Sequence, residues 1–134
     1  MKRRWTLCLG LIIFLIACDS PTSSPQPTPP TPPAKHAKVI MIEGPLFEDG
    51  YTIFWYKGRV RNDGEIAAKF SKIYFYVRDS GNSLIAQEWT YIDDTDLVPA
   101  ETSAFDIIFS DENHSIRDRM DKSKTTYEIK WDES

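Results

Sequence analysis

The run Lys72-Ile-Tyr-Phe-Tyr-Val-Arg78 (KIYFYVR) decides the fold class. Ile73, Phe75 and Val77 recur with a period of two, and Lys72, Tyr74, Tyr76 and Arg78 fill the positions between them. Side chains of an extended strand point to alternate faces, so one face here is apolar and the other carries tyrosines and cations. A helix would scatter the same residues around its circumference. The stretch is therefore a half-buried β-strand within Ala67–Asp79. On its C-terminal side, Asp79-Ser80-Gly81-Asn82 turns the chain, the Asp79 carboxylate being suited to hold the turn. A further strand is expected over Leu84–Ile92.

On its N-terminal side, Asn62-Asp63-Gly64 is the strongest turn signal in the chain, because Asn and Gly tolerate the φ > 0 that tight hairpins need. Before it, Tyr51–Arg61 (YTIFWYKGRVR) reads as a strand. Gly58 within it signals a bulge or the close approach of another segment. Trp55 is expected outward with Arg59 and Arg61, unless a bulge at Gly58 turns it into the core. Lys38–Glu43 (KVIMIE) is a shorter strand that Gly44-Pro45 is expected to end. Beyond the central run, Phe105, Ile107 and Phe109 alternate within Glu101–Ser110, and Tyr127, Ile129 and Trp131 alternate within Thr125–Trp131. The segment Glu112–Lys122 has thin apolar content, Ile116 and Met120, and reads as a loop holding one helical turn. Six or seven short strands, each with one apolar face, and no long helix predict an all-β fold, a small antiparallel immunoglobulin-like β-sandwich over residues 37–134.

The residues before this domain have a different character. Ser20 to Pro33 is almost entirely Pro, Thr and Ser and holds seven of the chain's nine prolines. Proline lacks an N–H and fixes φ, so this stretch favours polyproline II and acts as a semi-rigid spacer of about 3.1 Å per residue. Ahead of it, Lys2, Arg3 and Arg4 precede an uncharged, mostly apolar stretch from Trp5 to Ala17. As a helix those residues would cover only about 20 Å, against roughly 30 Å of bilayer hydrocarbon, which fits a signal-peptide core rather than a permanent span.

Leu15-Ile16-Ala17-Cys18 resembles the lipobox of bacterial lipoproteins: an aliphatic residue, a tolerant position, a small residue and a cysteine. The resemblance implies cleavage between Ala17 and Cys18 and attachment of a diacylglyceryl group to the Cys18 thiol. Acylation of the freed amine, typically by a palmitate-like chain, would then make attachment to the membrane effectively permanent. Residues 1–17 would be the lipoprotein signal peptide and residues 18–36 the lipidated cysteine and linker. The domain would then sit outside the cytoplasm on a bacterial cell membrane. Asp19, directly after the cysteine, resembles the signal for retention in the inner membrane of enteric-type, Gram-negative bacteria.

A second resemblance lies in the domain itself. Gly58-x-Val60-x-Asn62, Phe75-x-Val77-x-Asp79, Gly81, Leu97-x-Pro99-x-Glu101 and Phe105 resemble the FxLYD domain. That immunoglobulin-like module occurs in bacterial and archaeal surface proteins, and the likeness covers about residues 50 to 110. Val77 and Arg78 stand where the pattern has Leu and Tyr, and Ala100 stands where a glycine is usual after the proline. The resemblance implies a fold and a location, not an activity.

Charge and chemistry narrow the function. Loss of residues 1–17 would leave 13 basic against 20 acidic side chains, a net −7 that repels phosphate backbones and argues against nucleic acid. With Cys8 removed and Cys18 lipidated, neither a disulfide framework nor a thiolate metal site is expected. His114 lies among Asp111, Glu112 and Asp118, but a lone loop histidine among acids is expected to be solvated. Asp93-Asp94-x-Asp96 with Glu101 lacks the spacing and central glycine of a calcium loop and reads as an acidic turn. No G-x-S-x-G elbow is present, so no catalytic residues, metal or cofactor are expected.

The remaining feature is the outward face of the central strand. Tyr74, Tyr76 and Arg78, with Lys72, offer the residue types that interfaces enrich. The expected function is non-catalytic binding of an envelope protein or glycan through that face. The alternative is a structural or assembly accessory of an envelope complex, with no ligand site.

Overall fold

The computed structural model describes residues 30–133, so Ala17, Cys18, Asp19 and most of the proline-rich linker lie outside the described residues. From Pro33 onward the chain is one compact unit. It contains six strands: β1 (Val39–Asp49), β2 (Ile53–Asn62), β3 (Ala68–Arg78), β4 (Leu84–Tyr91), β5 (Thr102–Ser110) and β6 (Thr126–Glu133). A 3₁₀ turn at Lys122–Lys124 precedes the last.

The strands form two antiparallel three-stranded sheets, ordered β1-β2-β5 and β4-β3-β6. That order matches strands A, B and E on one side of an immunoglobulin sandwich and C′, C and F on the other. The predicted β-sandwich is thus the observed fold. β2 and β5 pair without interruption from Ile53↔Ser110 to Arg61↔Thr102, so their apolar faces stay in phase. Phe54, Tyr56 and Val60 of β2 and Phe105, Ile107 and Phe109 of β5 meet Ile73, Phe75 and Val77 of β3, all of them buried. Tyr56 stacks on Phe75 across the two sheets with ring centroids 4.8 Å apart. Phe54 stacks on Phe109 at the same separation.

Gly58 marks a close approach rather than a bulge in its own strand. A Cβ there would come within 2.8 Å of the Phe105 ring, so only glycine admits that side chain into the core. With β2 unbulged, Trp55 stays on the outer face, where its indole Nε1–H donates to Glu48 at 2.6 Å.

Two expectations about chain direction are corrected. Gly44-Pro45 does not end the first strand. β1 continues to Asp49, with register shifts between Met41 and Glu43 and between Glu43 and Leu46. An edge strand can carry proline, because its missing N–H faces no neighbour. The second correction concerns Asn62-Asp63-Gly64, which is a corner between sheets and not a hairpin: β2 belongs to one sheet and β3 to the other. Asn62 is fully buried there. Its Nδ2 donates to the carbonyls of Ile66 (2.7 Å) and Leu97 (2.9 Å). Its Oδ1 accepts from the N–H groups of Lys38 (3.1 Å) and Gly64 (2.9 Å). Gly64 is needed because a Cβ would overlap the carbonyl of His36.

The loop after β5 is built around a buried ion pair. Asp111 has no exposed side-chain surface, and its carboxylate takes the Arg117 Nε–H at 2.9 Å. It also accepts the N–H groups of Ile116 and Arg117. Burial pushes the Asp111 carboxyl up, but those bonds and the guanidinium outweigh it and hold the group below the usual carboxylate range. Arg117 extends the network to Asp49, Gly50 and Tyr51.

Candidate functional site

The candidate site is the outer face of the β4-β3-β6 sheet. Alternation along β3 buries Ile73, Phe75 and Val77 and leaves Lys72, Tyr74, Tyr76 and Arg78 on the other face, as the sequence predicts. The structure separates those four. Tyr74 lies at the centre of the face, opposite Trp89 of β4 and Glu128 of β6. Tyr76 lies one step towards the turn and donates its hydroxyl hydrogen to Glu128 Oε2 at 3.0 Å. Arg78 is drawn away: its Nη1 donates to the carbonyl of Asn82 at 3.1 Å and braces the β3–β4 turn. The same turn is held by Asp79, whose carboxylate accepts the Ser83 N–H at 2.9 Å. Arg78 therefore supports the site's edge, while Tyr74 and Tyr76 belong to its surface.

β4 contributes what the sequence reading missed. Its pairing with β3 puts Glu88 opposite Phe75 and Thr90 opposite Ile73, on the inner side, and turns Trp89 and Tyr91 outward. Trp89 is 47% exposed and Tyr91 44%. Glu88 is itself exposed and Thr90 half-buried, so this part of β4 is an edge that covers little core, and burial does not account for its two aromatics. Tyr74 stacks on Trp89 (centroids 6.1 Å) and Trp89 meets Tyr91 edge-on (5.5 Å). The Lys72 ammonium lies 5.0 Å from both the Trp89 and Tyr91 rings, and Lys130 lies 4.9 Å from the Tyr74 ring. These are cation–π distances. The signal was present in the alternation Gln87-x-Trp89-x-Tyr91, but the sequence does not say which side of β4 meets the core.

Phe70 extends the surface towards β6. It sits where the β3–β6 register breaks between Lys69 and Lys72, at φ 49°, and is 58% exposed. A bulky residue in the left-handed region is strained; Phe70 keeps the outward side of Lys72 and Tyr74, and the alternation breaks only beyond it, at the buried Ala68. With Lys72, Tyr74, Lys130, Trp131 and Asp132 it lines a shallow groove.

Tyr76 and Lys130 are both paired with Glu128. Lys130 Nζ lies 3.2 Å from Glu128 Oε2. Hydrogen bonds from Lys130 and then Tyr76 hold the Glu128 carboxyl below its usual range, and the same carboxylate raises Lys130. Desolvation, reinforced by Glu128, raises the Tyr76 phenol. The face thus presents Lys72 and Lys130, the carboxylates of Glu128 and Asp132, three phenols and the Trp89 indole. Such a set supplies contact area and hydrogen bonds.

The other sequence candidates do not assemble into a site. His114 packs edge-on against Tyr51 (6.0 Å), and its neighbour Asp111 is committed to Arg117. Glu101 accepts the Val98 N–H at 2.9 Å and so caps a local turn, and Asp96 accepts the Phe70 N–H of β3 at 3.4 Å. Among the described residues no three His, Cys, Asp or Glu side chains group around a point that could hold a metal ion. Among them, too, no helix is long and apolar enough to cross a membrane. No family model, curated protein or solved structure matches the chain.

Proposed function

We propose that the protein is a lipid-anchored envelope lipoprotein whose sandwich domain binds a partner protein through the outer face of the β4-β3-β6 sheet, without catalysis. The lipobox-like Leu15-Ile16-Ala17-Cys18 and the proline-rich spacer support the anchored, extracytoplasmic placement, as does the likeness to the FxLYD module. Asp19 points to the inner membrane where the source is Gram-negative.

The observation that carries the binding reading is the outer face of β4, where Trp89 and Tyr91 stand exposed beside Tyr74 and Lys72. Rigid aromatics flanked by lysines offer apolar area at low entropic cost, with charge to orient an acidic partner. A protein is favoured over a glycan because Lys72 already lies over the Trp89 and Tyr91 rings, where a sugar ring would stack. The test is photocrosslinking in living cells from position 89, compared with position 59 on the outer face of the other sheet. A discrete protein adduct at 89 alone is expected. Equal adducts at both positions, or none at either, would refute the assignment.

A further inference from the structure

We propose that the free edge of β6 pairs with β6 of a second copy of this chain, joining two domains into one continuous six-stranded sheet. Among the described residues β6 is hydrogen-bonded on one side only, by β3. The backbone N–H and C=O groups on its other side form an open template for a strand. Two of the other three edges are less open: β1 carries Pro45 and two register shifts, and the β5 side is partly covered by Asp93 and Asp94, whose N–H groups reach the Ala104 carbonyl and Ser103 Oγ. β4 is an edge like β6.

The core is also incompletely closed at β6. Tyr127 lies on the inner side against Phe75 (5.8 Å), yet it remains 43% exposed. With Ile129 and Trp131 it forms one wall of an apolar groove whose other wall is Val39, Ile40 and Met41 of β1. An inward-facing aromatic left this open is unfinished packing that another strand would complete.

The sequence of β6 identifies that strand as a copy of itself. In Thr126-Tyr-Glu-Ile-Lys-Trp-Asp-Glu133, an antiparallel pairing centred on Ile129 sets Ile129 against Ile129 of the second copy. Glu128 then faces Lys130 of the second copy, and Lys130 faces its Glu128. Tyr127 faces Trp131 of the second copy, so apolar residues meet on the inner face and opposite charges on the outer. Neighbouring registers lose this match. Centring on Glu128 opposes two glutamates; centring on Lys130 opposes two lysines and sets Glu128 against Asp132. Like charges directly opposite are destabilising, so one register is selected. The linker residues 20–33 cannot take the same place, because seven prolines lack the N–H that a ladder needs.

The test uses the full chain in detergent, followed by sedimentation across a range of concentrations. The unsubstituted chain is expected to dimerise reversibly. Glu128→Lys or Lys130→Glu alone should weaken the dimer about tenfold or more, since each sets like charges opposite twice. The double exchange Glu128→Lys/Lys130→Glu should restore it. None of these changes touches the core, and circular dichroism checks that each variant keeps its strands. In parallel, Ile129→Cys should form an intermolecular disulfide above the background of the unsubstituted chain, because opposed residues lie within bridging distance. Lys124→Cys should not. A chain that stays monomeric at every concentration, or a double exchange that fails to restore association, overturns the proposal. So does β6 crosslinking to a different protein in place of its own copy.

Discussion

Replacing Asn62 tests the corner on which both sheets hinge. Asn62→Ala removes the amide and leaves four backbone groups without their partner: the carbonyls of Ile66 and Leu97 and the N–H groups of Lys38 and Gly64. Only the bond to Leu97 is fully buried; the other three lie where water reaches one side. One full desolvation penalty of about 2–3 kcal/mol and three partial ones of roughly 0.5 kcal/mol each give a loss of about 4 kcal/mol. That is a large share of the 5–15 kcal/mol typical of a domain. Asn62→Asp keeps the acceptor but puts a carboxylate oxygen against two carbonyls, at a comparable cost at neutral pH. The new carboxyl would be buried beside acceptors, so its folded-state pKa is raised above the usual value of about 3.9. A raised pKa contributes stability that is fully present below the unfolded value and is lost as pH rises through the folded one. The gap between Asn62→Asp and the parent must therefore narrow in acid, whereas that of Asn62→Ala must not. Urea melts followed by tryptophan fluorescence at pH 7 and pH 4 measure both. A loss below about 1 kcal/mol for Asn62→Ala, or a pH-independent gap for Asn62→Asp, would refute the role given to this side chain.

Three further outcomes are expected. Asp111→Asn should cost about 1–3 kcal/mol at neutral pH, because Arg117 loses one of its two carboxylate partners and keeps Asp49. Because the Asp111 carboxyl is held low, its contribution is present above the unfolded pKa and lost as pH falls through the folded one. Melts of parent and variant should therefore converge in strong acid. Ala100→Gly should stabilise the domain by about 1 kcal/mol in the same melts, since Ala100 sits at φ 68° and glycine adopts that conformation without strain. Cys18→Ser should abolish incorporation of labelled palmitate, and label in the variant would refute the anchor.

The strands were legible because their period of two survives in nearly every segment, and the central run KIYFYVR marks its own buried face. The corner was not legible. Asn62-Asp63-Gly64 carries the residues of a hairpin turn, and only the tertiary fold shows that Asn62 is spent on four backbone partners instead of a positive φ. Ala100 illustrates the opposite situation. The resemblance read from the sequence leads one to expect glycine after Pro99, and Ala100 sits at φ 68°, a conformation glycine adopts without strain. The candidate site was half legible. Tyr74 and Tyr76 follow from the alternation of β3, but Arg78 is taken by the turn. Trp89 and Tyr91 depend on which side of β4 meets the core, whereas Phe70 shares the outward parity of Lys72 and Tyr74 and only its left-handed backbone is unmarked in the sequence.

The point where the chain enters the domain is braced on several sides. The Ala37 N–H and His36 Nδ1 both reach the Glu133 carboxylate of β6, at 3.0 Å each. The His36 carbonyl accepts the Glu65 N–H, the Lys38 carbonyl accepts the Asp63 N–H, and the Lys38 N–H binds Asn62. A pull on the chain from its N-terminal side is therefore not delivered to the edge strand β1 alone. It is shared at once between the last strand of one sheet and the corner leading out of the other. Such a root resists peeling of β1, because several bonds in three segments must give way together before the first strand is loaded. Tension applied through the residues before His36 would thus meet the folded domain at several points at once.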